Sequence, residues 1–290
     1  MTRLHGHVSQ VGHVSKIICY PVTSCGGISE DSAHCSFMGL SMLEFRDREY
    51  VVAKLIDPTT TQQFHSPMLQ EIQVYINGRN LLLKFGDQPD MLLTSTLRRE
   101  SRQAFTIQCL GMETDALDCG TKVGSWLSEC LQEADLRLFN CRFEWAVESK
   151  RYKSVACRIV TESSLQEINE LFKFDPLQVV ENFRPNIVIS GTKPLDEQRW
   201  DLIYIGKEAG FERRAFNVKL IEEAFDTKNL AWRHESEPHD NLRGAVCIPC
   251  CFPTPEFGVY ATAFREGKIS VGDPVFVVYR STFLSSYRSW

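Results

Sequence analysis

Apolar and polar residues alternate, or β-branched residues cluster, in "HVSKIICYPV", "REYVVAKLI", "EIQVYI", "NLLLKF" and "AFTIQCL", all within the first 110 residues. A period of two with β-branched enrichment predicts strands. Turn signals separate them: Gly26-Gly27, Asn77-Gly78 and the run from Asp87 to Asp90. Asn77-Gly78 is the sharpest, because Asn-Gly accepts the positive φ that a two-residue hairpin demands. This part of the chain reads as a β-barrel or sandwich.

The period then changes. In "TKVGSWLSECLQEA", residues 121–134, Val123, Trp126, Leu127, Cys130 and Leu131 fall on one helical face. Just before it, Asp118 in "DCG" reads as a turn residue placed to cap that helix. A second helix is expected over "TESSLQEINELFKF", residues 161–174, with Leu165, Ile168, Leu171 and Phe172 as its stripe. Thr161 is its expected N-cap, and Ser164 with Glu167 offers an alternative start. Strand patterns return in "NIVIS", "WDLIYIG", "GVYATAF" and "ISVGDPVFVVY". The class is α+β and β-rich. The charged stretch "RFEWAVESKRYK" is the expected junction, dividing the chain into units 8–140 and 141–285.

Bulk composition narrows the function. A chain of 290 residues with 43% hydrophobic content buries a sizeable core. A net charge of -5 argues against a general nucleic-acid surface but leaves room for a local basic pocket. Eleven cysteines, an odd number, without an apolar signal segment at the start, fit free thiols in a reducing, intracellular compartment. No run reaches the roughly 18 apolar residues of a membrane span.

In "ENFRPNIVISG", residues 181–191, Arg184 and Asn186 stand at the mouth of an apolar strand. These residues suit either a turn into a core strand or an anion site. Read together with "YPVTSCGGIS", "MGLSMLEFRDREYVV", "LDCGTKVGSWL", "RWDLIYIG" and "FGVYATAFREGKISVGDPVFVV", in that order, the chain resembles the MOSC-domain family, and within it the mitochondrial amidoxime-reducing components. The resemblance spans most of residues 8–280. It implies an N-terminal β-barrel-like domain and a MOSC β-barrel domain with a few helices. A molybdenum cofactor, a pterin dithiolene bearing one metal and a phosphate, would lie between them. It also implies reduction of small N-hydroxylated substrates, with electrons from cytochrome b5 and NADH-cytochrome b5 reductase. A mitochondrial location follows by resemblance, although no anchor or targeting segment is read at the start of this sequence; a cytosolic one is the alternative.

The site residues implied by the resemblance are Thr23, Ser24, Arg48, Ser154, Arg184, Asn186 and Tyr260. Arginine suits an anionic pterin, because its planar fork donates in fixed geometry and stays charged. Thr23 stands where the family usually has a lysine, so one positive charge is lost. Ser154 keeps a hydroxyl where the family reads Thr-Ser-Pro.

The metal ligand is the main departure. The family's cysteine, a soft thiolate donor, follows the element matched by "RWDLIYIG", yet this chain has no cysteine between Cys157 and Cys247. Ungapped counting puts Phe216 at that position. Cys247, Cys250 and Cys251 in "CIPCC" are substitutes, and the Cys-x-x-Cys spacing also suits zinc or plain thiols. The expectation is a retained fold and pterin pocket with weak or absent reductase turnover. The alternatives are a non-catalytic relative that binds molybdopterin or nothing, and a sulfur-carrying module like the C-terminal part of molybdenum cofactor sulfurases. Those enzymes carry a separate pyridoxal-phosphate domain, which this chain lacks.

Overall fold

The structure, a computed structural model, describes residues 7–56, 61–94, 104–109, 112–141, 157–172, 183–213 and 258–280. Ser154, Phe216, Cys247, Cys250, Cys251 and the expected junction "RFEWAVESKRYK" lie outside the described residues.

The expected β-rich α+β class holds. Seven strands close on themselves. In spatial order they are Ile187–Ser190, Cys157–Thr161, Val259–Arg265, Ala209–Arg213, Trp200–Ile205, Pro274–Tyr279 and Val8–Cys19, the last pairing back to Ile187–Ser190. Their inward side chains form a core of fully buried residues that includes Ile17, Trp200, Ile203, Phe211 and Val277. The strand Val8–Cys19 therefore lies at the start of the chain and closes a barrel otherwise built from residues beyond 156. The reverse exchange also occurs. Gly267–Ser270 pairs with Ser32–Ser36, which continues through Gly39–Met42 to Phe45–Arg46. Each half thus holds a strand of the other, and the boundary read from the sequence cuts across both exchanges.

The first strand turns the corner of the barrel at Gly12. Its pairing shifts register between Gln10 and Gly12 on one side and between Val14 and Lys16 on the other, and such bulges bend a strand. A Cβ on Gly12 would lie 1.8 Å from the Ser190 carbonyl oxygen, so only glycine lets the two backbones approach.

In the N-terminal half, Ala104–Cys109, Met112–Asp118, Leu136–Cys141, Tyr50–Leu55 and Thr61–Gln63 form a five-stranded sheet. The expected hairpin is present as Gln73–Asn77 against Asn80–Lys84, with Asn77 opposite Asn80 and Gly78 at φ 61°. The first predicted helix spans Thr121–Leu131 and buries Val123, Trp126, Leu127, Cys130 and Leu131, all five of the expected face. Asp118 does not cap it. The N-cap is Gly120, and Asp118 instead accepts from the Gly120 N–H at 2.8 Å, bracing the turn one residue earlier.

The second predicted helix spans Glu162–Phe172. Thr161 caps it as expected, its hydroxyl accepting from the Ser164 N–H at 3.2 Å. The alternative start at Ser164 is displaced, because Ser164 is buried inside the first turn. There the hydroxyls of Thr161 and Ser164 donate to Glu197 Oε2 at 3.0 and 2.9 Å. Glu197 is fully buried, and burial pushes its carboxyl above the ordinary glutamate value, outweighing the two hydroxyl donors. Among the described residues, no helix is long and apolar enough to cross a membrane.

Two outcomes test this architecture. Gly12→Ala should lower stability by more than about 2 kcal/mol, because backbone rather than a mobile side chain must yield; thermal unfolding reads this directly. Glu197 binds its proton more tightly folded than unfolded, so its contribution to stability falls as pH rises above the ordinary value of 4.5. Glu197→Gln keeps a hydrogen-bonding oxygen and cannot ionise. Its melting temperature should match wild type at low pH and exceed it increasingly as pH rises, and an unchanged gap across pH would contradict the buried-carboxyl account.

Candidate functional site

The candidate site is assembled where the first strand ends. Beyond Cys19 the chain runs through "YPVTSC" alongside "FRDREY", held by Arg48 N–H to Tyr20 O at 2.7 Å, Tyr50 N–H to Pro21 O at 2.9 Å and Thr23 N–H to Tyr50 O at 2.7 Å. Asp47 locks the corner. Its Oδ1 accepts from the Tyr20 N–H at 2.8 Å, and its Oδ2 accepts from the Arg48 guanidinium. Both Asp47 and Arg48 are buried.

From the barrel side, Asn186 reaches the same corner. Its Oδ1 accepts from the Arg158 N–H at 2.9 Å and from Arg48 Nη1 at 3.3 Å, and its Nδ2 donates to Ile18 O at 3.2 Å. One carboxamide thus joins the first strand, the strand Cys157–Thr161 and the Arg48 turn. In "ENFRPN", Asn186 is a buried cross-link between the halves, and Arg184 approaches the N-terminal half. Arg184 Nη2 donates to Cys25 O, and its guanidinium lies 4.1 Å from the Tyr20 ring centroid. Arg48 lies 5.9 Å from the same ring.

A third arginine, which the sequence reading did not select, completes the cluster. Arg158 donates to Phe183 O at 2.6 Å, and its guanidinium sits 5.4 Å from the Phe183 ring centroid and 5.4 Å from that of Tyr260. No local signal in the chain marks it; its burial does. All five residues of Cys157–Thr161 are buried, and an arginine inside such a strand is seldom incidental. Asp47 and Tyr20 were likewise not selected; Asp-Arg adjacency in "FRDREY" was their only mark.

Of the residues expected at the site, Arg48, Arg184, Asn186 and Tyr260 come together. Thr23 and Ser24 lie in the turn leading to Cys25, whose carbonyl Arg184 holds. The Thr23 hydroxyl is buried and has no hydrogen-bond partner among the described residues. Ser24, Arg48 and Arg184 have φ of 67°, 56° and 47°, left-handed values uncommon for residues with a Cβ. Such conformations gather at sites whose surroundings over-determine them. Gly27 clears space for the site, since a Cβ there would meet the Tyr20 ring at 2.6 Å.

The electrostatics follow from three buried cations. Burial, and then the charge of Arg48, lower the pKa of Arg158; burial also lowers that of Arg184, with Arg48 again acting against it. Tyr20 is pushed up to about 12, because desolvation outweighs the neighbouring guanidinium groups. Burial raises the Cys25 and Cys157 thiols to about 12, and raises Cys19 and Cys35 as well. These are protonated interior thiols. Among the described residues, no group of three or more His, Cys, Asp or Glu side chains is placed to hold a metal ion.

The cross-linking carboxamide makes a sharp prediction. Asn186→Ala strips acceptors from the Arg158 N–H and Arg48 and a donor from Ile18 O, all buried. Destabilisation of about 2–4 kcal/mol is expected, since each stranded buried group costs about 1–3 kcal/mol. Denaturant unfolding measures it, and a loss below about 1 kcal/mol would mean that the carboxamide does not hold the halves together.

Comparison with known proteins places this geometry in a family. Residues 11–134 match the MOSC N-terminal beta barrel domain, and residues 153–276 match the MOSC domain. Mitochondrial amidoxime reducing component 2 of Homo sapiens is 26% identical over 295 aligned residues, covering 94% of this chain and 86% of that one. Mitochondrial amidoxime-reducing component 1 of Homo sapiens is 28% identical, with 96% and 86% covered, and that of Danio rerio is 26% identical, with 93% and 86% covered. The two matched regions leave only the extremities and a short connection unassigned, and they meet at the arginine cluster, so this chain belongs to the MOSC-domain family.

Proposed function

We propose that this MOSC-domain protein binds a molybdenum cofactor at the arginine cluster and is a weak reductase of N-hydroxylated compounds. The observation that carries the reading is the convergence of Arg48 and Arg184 on the Tyr20 ring from both halves, with the buried Arg158 close enough to Arg48 for their charges to interact. Their donor chemistry fits an anionic pterin. Guanidinium groups supply planar paired donors that keep their charge when buried. The partnerless Thr23 hydroxyl and the adjacent Ser24 add neutral donors beside them.

When bound, the cofactor supplies a metal centre able to take the oxygen from an N-hydroxylated substrate. The chain's own contribution is to hold and orient it. Arg48 and Arg184 grip it from opposite halves, and Asn186 keeps those halves in register. Tyr260, packed on Arg158, closes one side. The amidoxime named in the relatives, and the cytochrome b5 and NADH-cytochrome b5 reductase of the resemblance, supply the expected substrate class and electron donors; a mitochondrial location belongs to the same reading.

Weak turnover is expected from the metal's thiolate. The chain has no cysteine between Cys157 and Cys247, where the family's ligand is expected. Cys247, Cys250 and Cys251, the next cysteines along the chain, are the remaining candidate donors.

The test is the molybdenum and pterin content of the purified full chain, with benzamidoxime reduction measured alongside. Pterin should co-purify and be lost in Arg48→Ala and Arg184→Ala, while turnover stays low. If one of Cys247→Ser, Cys250→Ser and Cys251→Ser removes molybdenum and leaves pterin, it identifies the donor. Absence of pterin in the wild type would sink the proposal.

A further inference from the structure

Arg158 gives the cluster more positive charge than the sequence reading had assigned to it. The guanidinium is fixed on three sides, by the Phe183 ring, the Tyr260 ring and the Phe183 carbonyl it donates to. It is close enough to Arg48 for the two charges to oppose one another, as Arg48 and Arg184 also do. Buried like charges repel far more strongly than in water. An anion relieves that repulsion, and a doubly charged anion relieves more of it than a singly charged one.

We infer that Arg158 is a specificity-determining residue which, with Arg48 and Arg184, makes the site select the dianion of a phosphomonoester over its monoanion. The inference rests on the cofactor-binding reading, because the pterin's phosphate is the group selected. It concerns the charge state the site demands and not the metal.

The pH dependence separates ligand from protein. A phosphomonoester loses its second proton near pH 6. The arginines keep their charge throughout, and Tyr20, Cys25 and Cys157 stay protonated. The carboxyls acting on the cluster among the described residues are Asp47 and Glu197. Asp47 is paired with Arg48, and a proton lost by Glu197 as pH rises adds negative charge and weakens anion binding. Tyr260, the remaining titratable neighbour of Arg158, likewise can only add negative charge. A rise in affinity with pH therefore originates in the ligand.

The experiment titrates glycerol 2-phosphate calorimetrically into the full chain produced in cells that make no molybdopterin, at pH 5 and pH 7.5. Wild-type affinity should rise about tenfold between the two, following the dianion fraction. Dimethyl phosphate, singly charged at both pH values, should bind weakly and equally. Arg158→Met should flatten the rise, and Arg158→Lys, which keeps the charge without the fork, should retain it with weaker binding. Thermal unfolding of both variants checks that the barrel survives, and the lysine variant keeps the test decisive if methionine disrupts it. A full rise in Arg158→Met, a flattened one in Arg158→Lys, or no binding by wild type overturns the inference. Pterin content of wild-type protein from an ordinary host is measured separately. Pterin present alongside any of those outcomes removes the charge-selection claim and leaves cofactor binding standing.

Discussion

The structure depends on one corner of backbone, at Cys19 and Tyr20, where a strand that closes the C-terminal barrel becomes the turn that builds the N-terminal site. Asp47 holds the Tyr20 N–H and Arg48 together, and Asn186 holds Ile18, Arg158 and Arg48 together. These two side chains bracket the corner from opposite halves. A site shared between two domains ordinarily inherits their relative motion. Here the strand Val8–Cys19 belongs to the far barrel and Gly267–Ser270 to the near sheet, so separating the halves means breaking ladder hydrogen bonds in both. The two halves are pinned where precision matters.

Three buried guanidinium groups in one cluster need an explanation in energy. Each removal of a charge from water costs several kcal/mol before compensation. The compensation is specific for each arginine: Arg48 has the Asp47 carboxylate, Arg158 the Phe183 carbonyl and two ring faces, and Arg184 the Cys25 carbonyl and the Tyr20 face. A desolvated cation–π contact contributes about 2 kcal/mol, so the rings reduce the cost without cancelling it. The left-handed backbone at Arg48 and Arg184 adds roughly 1–2 kcal/mol per residue against the fold. Core packing alone would favour apolar residues at these positions. Under the proposed function the arrangement makes physical sense as a site held ready for an anion, with the folding cost carried by the barrel.

Much of this was legible in the chain, for identifiable reasons. Helix Thr121–Leu131 and the Asn77-Gly78 hairpin follow from period and turn chemistry, which are local. Arg48, Arg184 and Asn186 stood out through the order of short stretches, and they do meet. The closure of the barrel by Val8–Cys19 was not legible, because alternation announces a strand without naming its partner. Strand Ala209–Arg213 was also missed. Its first three residues, Ala209 to Phe211, are all buried, which erases the alternation that marks a half-exposed strand.

Arg158 shows the more general limit. Within "ACRIVTE" it breaks an apolar run, and a polar residue there usually faces solvent on the outer side of a strand. What reverses that reading is the burial of the whole strand between Ile187–Ser190 and Val259–Arg265, a tertiary fact with no local signature. Once both neighbours are in place, an outward arginine has nowhere to go but between Phe183 and Tyr260. The charge of the cluster is thus set jointly by a residue chosen in sequence and a topology that encloses it, and neither alone would bring three guanidinium groups together.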